Sequence, residues 1–255
     1  NLIHAAKGAD ILIHEVFIKL AFNEKRMSEQ TVKNIEDYHT SPEEVGKIAV
    51  ENLDSPRCIK SHLPLRMMPY HPGAAYLYVA RNPFDCAVSF YHHTRGFSQH
   101  YDFVNGSFDE FFECFLSGEV YFGDYFANLV PWYKNRGRDN ILFLTYEQMK
   151  TQPLETIRSI GSFLGAGAAA VVRDRKVLKD VIRNSSYDSM SRDQQRWSSQ
   201  RPDNMPAFVR KGQVGDWLNY FSPDQARRLA DKFDERAHGT DLRTLWPEVL
   251  RAARD

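Results

Sequence analysis

Apolar and polar positions alternate along this chain in a way that separates strands from helices. Tyr76-Leu-Tyr-Val-Ala80 is a compact apolar run with aromatic and β-branched residues, the pattern of a buried parallel strand. Ile141-Leu-Phe-Leu-Thr-Tyr146 is a second such run, and Arg57-Cys-Ile-Lys-Ser-His62 reads as a short strand stopped by Leu63-Pro64. Directly after the first run, Asn82 reads as an N-cap, Pro83 as the first helical residue and Asp85 as the capping-box position. Phe84, Val88 and Tyr91 then give that helix an inward stripe, and Ser89 projects elsewhere.

Capping boxes punctuate the rest. Ser41-Pro-Glu-Glu44 opens a helix to about Asn52, carrying Val45, Ile48, Ala49 and Leu53 on one face. Ser107-Phe-Asp-Glu110 introduces Phe111, Phe112, Phe115 and Leu116, and Ser222-Pro-Asp-Gln225 introduces Ala226, Leu229, Ala230 and Phe233, with Gly239 as the stop. Tyr121–Trp132 is aromatic and helical in pattern, with Pro131 expected to break or kink it. Glu147–Lys150 begins a further helical stretch, a stripe from Leu154 to Leu164 ends at Gly165, and Ala166–Asn184 predicts one more helix. Ser186–Met205 is polar and aperiodic, which predicts a mobile surface loop. Strands alternating with helices, without repeats or a linker, predict a single α/β domain over residues 1–255, a central parallel sheet flanked by helices. Residues 1–22 show roughly helical spacing interrupted by Gly8. Asn1–Ala6 reads as helix already under way, so a segment is expected to precede it.

Composition narrows the function. The 33 basic and 33 acidic side chains cancel, so any anion site must be a local cluster; a general nucleic-acid or anionic-membrane surface is not expected. Three cysteines, Cys58, Cys86 and Cys114, lack metal-ligand spacing, and an odd number suits a reducing compartment. No signal peptide is evident, and no apolar run is long enough to span a bilayer.

Three stretches carry candidate chemistry. Arg81 at a strand's carboxyl end, followed at once by a fresh helix bearing the Ser89 hydroxyl, can hold a phosphate; alternatively Arg81 is solvated or paired with Asp85. Lys60-Ser61-His62 ends a strand, where open α/β sheets gather ligands. There His62 can take a proton and Lys60 can neutralise an anion, or both are ordinary surface residues. Phe208-Val-Arg-Lys-Gly-Gln-Val-Gly-Asp-Trp217 sets two cations before Gly212, which lets backbone approach an anion closely; the plainer reading is a basic surface turn.

These pieces occur together and in order. Ile59–Pro64, Tyr78–Pro83 with Ala87–Tyr91, Leu144-Thr-Tyr-Glu-Gln-Met-Lys150 and Arg210–Trp217 make the chain resemble the cytosolic sulfotransferases from about residue 57 to about residue 240. The resemblance implies a P-loop-like sulfotransferase fold, a cytoplasmic enzyme, the sulfonate donor 3′-phosphoadenosine 5′-phosphosulfate (PAPS) as co-substrate, a small-molecule acceptor and no metal. It implies that Arg81, Ser89, Arg210, Lys211 and the Gly212 backbone hold the 3′-phosphate. Tyr146 approaches the adenine, and Ser185 and Tyr187 contact it where the family often has Thr and Phe. His62 is implied as general base, with Lys60 stabilising charge on the transferring group. The family's phosphosulfate loop, a Pro-Lys-(Ser/Cys)-Gly-Thr-like segment, is not found in the sequence; it and the first central strand are expected to precede Asn1. A family dimer motif is not carried over, because this chain offers Leu218, Ser222-Pro223 and Arg227 in its place. The rival expectation is a non-catalytic nucleotide-binding or interaction protein on the same fold. A kinase-like transferase fits less well, because no Walker A lysine loop or acidic metal site is present.

Overall fold

Two strands form where the apolar runs Tyr76–Ala80 and Ile141–Tyr146 lie, and each is followed directly by a helix with a side-chain N-cap. The computed structural model describes residues 11–12, 58–97, 101–194 and 207–255. Its strands are β1 (Ile11–Leu12), β2 (Cys58–Ile59), β3 (Ala75–Ala80) and β4 (Ile141–Thr145), joined in the order β2-β1-β3-β4. β1 runs parallel to both neighbours, with Ile11 opposite Cys58 and Ala75, and Leu12 opposite Ile59 and Tyr76. Outside the strands the described residues are mainly helical.

The chain divides into two compact units. The first takes residues 1–79 and 121–143 and contains most of the sheet and α3 (Tyr125–Lys134). Its core gathers Leu63, Met68, Ala74, Tyr76, Trp132 and Ile141. Tyr78 stacks between Trp132 and Phe143, with ring centroids 5.3 Å from each. Pro131 does not break α3: the helix runs on to Lys134, and the Asn135 side chain donates to the Pro131 carbonyl at 2.8 Å. β2 is only two residues long, shorter than the six-residue run that predicted it.

The second unit takes residues 80–120 and 144–255. It contains α1 (Pro83–Gly96), α2 (Phe108–Ser117), α4 (Tyr146–Thr151), α5 (Pro153–Phe163), α6 (Ala166–Arg173), α7 (Arg175–Asn184), α8 (Tyr187–Ser191), α9 (Pro223–Arg236) and α10 (Pro247–Ala252). The boxes at Ser107 and Ser222 form in full, each side chain accepting from the N3 amide while the N3 residue answers. Phe84 and Val88 of α1 are fully buried and Tyr91 nearly so, as the stripe predicts. In α9, Ala226, Leu229, Ala230 and Phe233 are buried.

Two expectations change here. Ala166–Asn184 is two helices, because the Asp174 carboxylate accepts the Lys176 and Val177 amides and starts α7 afresh. The stretch expected to be a loop from Ser186 begins as α8, capped by the Ser186 hydroxyl on the Ser189 amide. Residues 195–205 of that stretch, the expected helix from Ser41, and the opening residues other than β1 lie outside the described residues; so does the expected absence of a phosphosulfate loop. Ile11–Leu12, read as helical in spacing, are strand. Among the described residues no helix is long and apolar enough to cross a membrane, and no group of three His, Cys, Asp or Glu is set to hold a metal.

Candidate functional site

In the second unit, the turn from β3 into α1 fixes Arg81. The Asn82 side chain accepts the Asp85 amide at 2.8 Å, which caps the helix as its sequence predicts. Glu147, near the start of α4, accepts from both the Asn82 amide (3.0 Å) and its side-chain amide (2.7 Å), and its other oxygen accepts from the Trp246 indole at 2.8 Å. Arg81 donates to the Gln213 carbonyl at 2.9 Å, lies 4.6 Å over the Tyr146 ring and is 4.0 Å from Asp85. One guanidinium at the end of the Tyr78–Pro83 segment therefore touches two of the other segments that carry the sequence motifs.

Residues 208–220 bend around a second carboxylate. Asp216 is buried and accepts from Arg210 at 2.6 Å through one oxygen, and from Lys211 at 2.7 Å and Asn219 at 3.0 Å through the other. Burial alone pushes the Asp216 carboxyl up, but the hydrogen bonds from Lys211, Arg210 and Asn219 outweigh it and hold it at about 2. Two cations facing one carboxylate leave a net positive charge, and both cationic side chains keep part of their surface exposed. Gly212 has φ +61°, and a Cβ there would lie 2.6 Å from the Tyr187 ring, so only glycine fits. The Tyr187 hydroxyl donates to the Arg210 carbonyl at 2.8 Å, and Gln194 exchanges hydrogen bonds with both backbone groups of Val209.

His92 completes this cluster, and the sequence reading did not single it out. It shares a 2.8 Å hydrogen bond with the Tyr220 hydroxyl. Burial, and next the Arg210 charge, hold its imidazole down at about 4, with Asp216 opposing and Arg95 and Lys211 adding to the depression. A depressed histidine favours folding fully above the unfolded pKa near 6.5, and that contribution is lost as pH falls toward 4. Part of the decline in Tm between pH 6.5 and 4.5 should therefore vanish in His92→Gln. Parallel declines in both proteins, followed by calorimetry, would show that His92 charges without cost.

Of the predicted nucleotide-site residues, Arg81, Tyr146, Tyr187, Arg210, Lys211 and Gly212 are joined by these contacts. Ser89 is exposed on α1, and Ser185 is exposed at the end of α7, where its hydroxyl turns back to the Val181 carbonyl at 2.8 Å.

Lys60 and His62 belong to the first unit, just past β2. The Ser61 hydroxyl is fully buried and accepts the Leu63 amide at 3.2 Å, which fixes the bend. Asn128 of α3 donates to the His62 carbonyl at 3.1 Å, and the Trp132 indole donates to the Leu63 carbonyl at 3.4 Å. The half-buried His62 ring lies 4.6 Å from the Phe122 ring, and Lys60 is exposed. This is a histidine on a firmly held backbone beside an aromatic wall, a setting that can handle a proton on an apolar molecule.

The model of the sulfotransferase domain matches residues 11–241. Rabbit (Oryctolagus cuniculus) sulfotransferase 1C2 is 33% identical over 209 residues, covering 79% of this chain and 68% of that protein. Human sulfotransferase 2B1 is 30% identical over 203 residues, covering 76% and 54%. A crystal structure of mouse sulfotransferase SULT7A1 with PAP superposes with TM-score 0.69 at 25% identity, covering 98% of this chain and 93% of that one. Retinol dehydratase, at 22% identity and TM-score 0.67 over 84% and 62%, shares the fold. The chain belongs to the sulfotransferase family of enzymes.

Proposed function

We propose that this chain moves a sulfonate from PAPS to the hydroxyl or amine of a small, phenolic or otherwise apolar acceptor, and that residues 1–255 form one sulfotransferase domain. The observation that carries the nucleotide half is the Arg81 guanidinium. It is held at once by the Gln213 carbonyl and the Tyr146 ring, which joins a strand-tip cation to the Arg210-Lys211-Gly212 turn. That cluster suits the nucleotide chemically. It offers guanidinium and ammonium groups for a phosphate dianion, a side-chain-free backbone at Gly212, and the Tyr146 and Tyr187 rings for a purine.

In this reading Arg81, Ser89, Arg210, Lys211 and the Gly212 backbone bind the 3′-phosphate, while Tyr146, Ser185 and Tyr187 border the adenine. PAPS supplies the activated sulfonate. His62 accepts the acceptor's hydroxyl proton as its oxygen bonds to sulfur, while the bond from sulfur to the 5′-phosphate oxygen breaks and 3′,5′-diphosphoadenosine (PAP) leaves. Lys60 neutralises charge on the transferring group. Positioning and electrostatic stabilisation supply most of the rate. An apolar acceptor is supported by Phe122 beside His62.

Transfer of radiolabelled sulfonate from PAPS to a panel of phenols, aliphatic alcohols and amines tests the proposal. Labelled product that requires acceptor is expected, phenols leading. Binding of PAP without transfer to any acceptor would instead favour the non-catalytic reading.

A further inference from the structure

Asp85 is 1% exposed, and the mechanism above gives it no task. Its position predicts a capping-box partner for Asn82, and the Asn82 side-chain amide does donate to it at 2.9 Å. Yet the carboxylate accepts its other hydrogen bonds from far along the chain. One oxygen takes the Gly215 amide at 2.8 Å, and the other takes the Trp217 amide at 3.1 Å. Gly215, at φ +89°, opens the turn Asp216–Asn219, so both donors belong to the bend that follows Arg210-Lys211-Gly212. Trp217 is buried and its ring packs 4.9 Å from Phe84 of α1.

A buried carboxylate needs hydrogen-bond donors, and backbone amides 130 and 132 residues away supply them here. The same bend carries Asp216, which orients Arg210 and Lys211. Arg81, four residues before Asp85, also holds the bend, through the Gln213 carbonyl. We infer that Asp85 is a positioning residue for the nucleotide site. It fixes the backbone of the 210–217 turn to the start of α1, so that Arg81, Arg210 and Lys211 face one phosphate. This rests on the reading of these cations as the 3′-phosphate ligands. An unsecured turn would still carry the charges but would not hold them in register, and misplacement on the ångström scale is enough to weaken charge-assisted contacts.

Asp85→Asn keeps the shape but sets an N–H against one of the two backbone amides. The readout is the ratio of affinities for PAP and for adenosine 5′-phosphate, which lacks the 3′-phosphate. Partial unfolding would lower both affinities alike and leave the ratio unchanged. The wild-type ratio should fall about tenfold or more in Asp85→Asn, the weight of one hydrogen bond to a charged group. An unchanged ratio in a folded variant overturns the inference. A wild type that binds both nucleotides equally overturns the underlying assignment of the anion site instead. Should Asp85→Asn fail to fold, Gly215→Ala takes its place. It strains the positive φ without meeting any neighbour within 4 Å, and an unchanged ratio there counts equally against the inference. In the free wild-type protein the Gly215 and Trp217 amides should exchange slowly, and exchange at the rate of an open loop would also overturn it.

Discussion

His62→Ala is expected to lower kcat by about two to four orders of magnitude while leaving PAP affinity nearly unchanged. The size follows from the task. A positioned base that removes a proton in the transition state typically contributes that range. The selectivity follows from the local structure. The bend at His62 is held through backbone groups and the buried Ser61 hydroxyl, with Asn128 and Trp132 donating to main-chain carbonyls, and all of these survive the substitution. The nucleotide ligands proposed here are all in the other compact unit. Steady-state kinetics on a phenol found active in the acceptor screen, beside PAP titration, checks this. Near-normal turnover would remove His62 from the role.

The parts of the fold legible in the sequence are those set by contacts within a few residues. The Ser107 and Ser222 capping boxes and the Asn82 cap each need only a side chain reaching an amide three positions on, and each forms. The break at Asp174 is legible on the same terms, since an aspartate can cap two following amides, yet the stretch reads as one helix unless Asp174 is taken as a cap. Pro131 does not end its helix. Its missing N–H removes one helical bond, and the buried Leu129, Trp132 and Tyr133 around it keep α3 continuous. The motifs and cations of the candidate site could be read, but not the groups that orient and surround those cations. Asp216 gave only its place in Arg210–Trp217, and nothing near Asp85 announces that Gly215 and Trp217 will meet it. His92 has no sequence signature at all, because its environment is made by Tyr220 and by the distant Arg210 and Lys211.

Arg210→Ala should weaken PAP binding by about 10- to 100-fold, while binding of adenosine 5′-phosphate stays close to wild type. A hydrogen bond to a charged group contributes about 1.5–3 kcal/mol, and each 1.4 kcal/mol is tenfold in affinity. Arg210 is tied to Asp216 through one terminal nitrogen at 2.6 Å, and a guanidinium has further N–H groups in a planar fork for a phosphate. Removing it leaves Lys211 and Asn219 on Asp216, so the turn keeps its carboxylate satisfied but loses its net positive charge. Asp216→Asn placed on the same background restores that charge without restoring the fork. If charge alone selected the 3′-phosphate, the double variant would recover the preference for PAP; if the bidentate geometry selects it, the preference stays low. The second outcome is expected, because the ammonium of Lys211 is a point charge that cannot reproduce paired donors. Calorimetric titration of both nucleotides against wild type, Arg210→Ala and the double variant separates the two accounts, and full recovery in the double variant would assign the selectivity to the site's field instead of to Arg210.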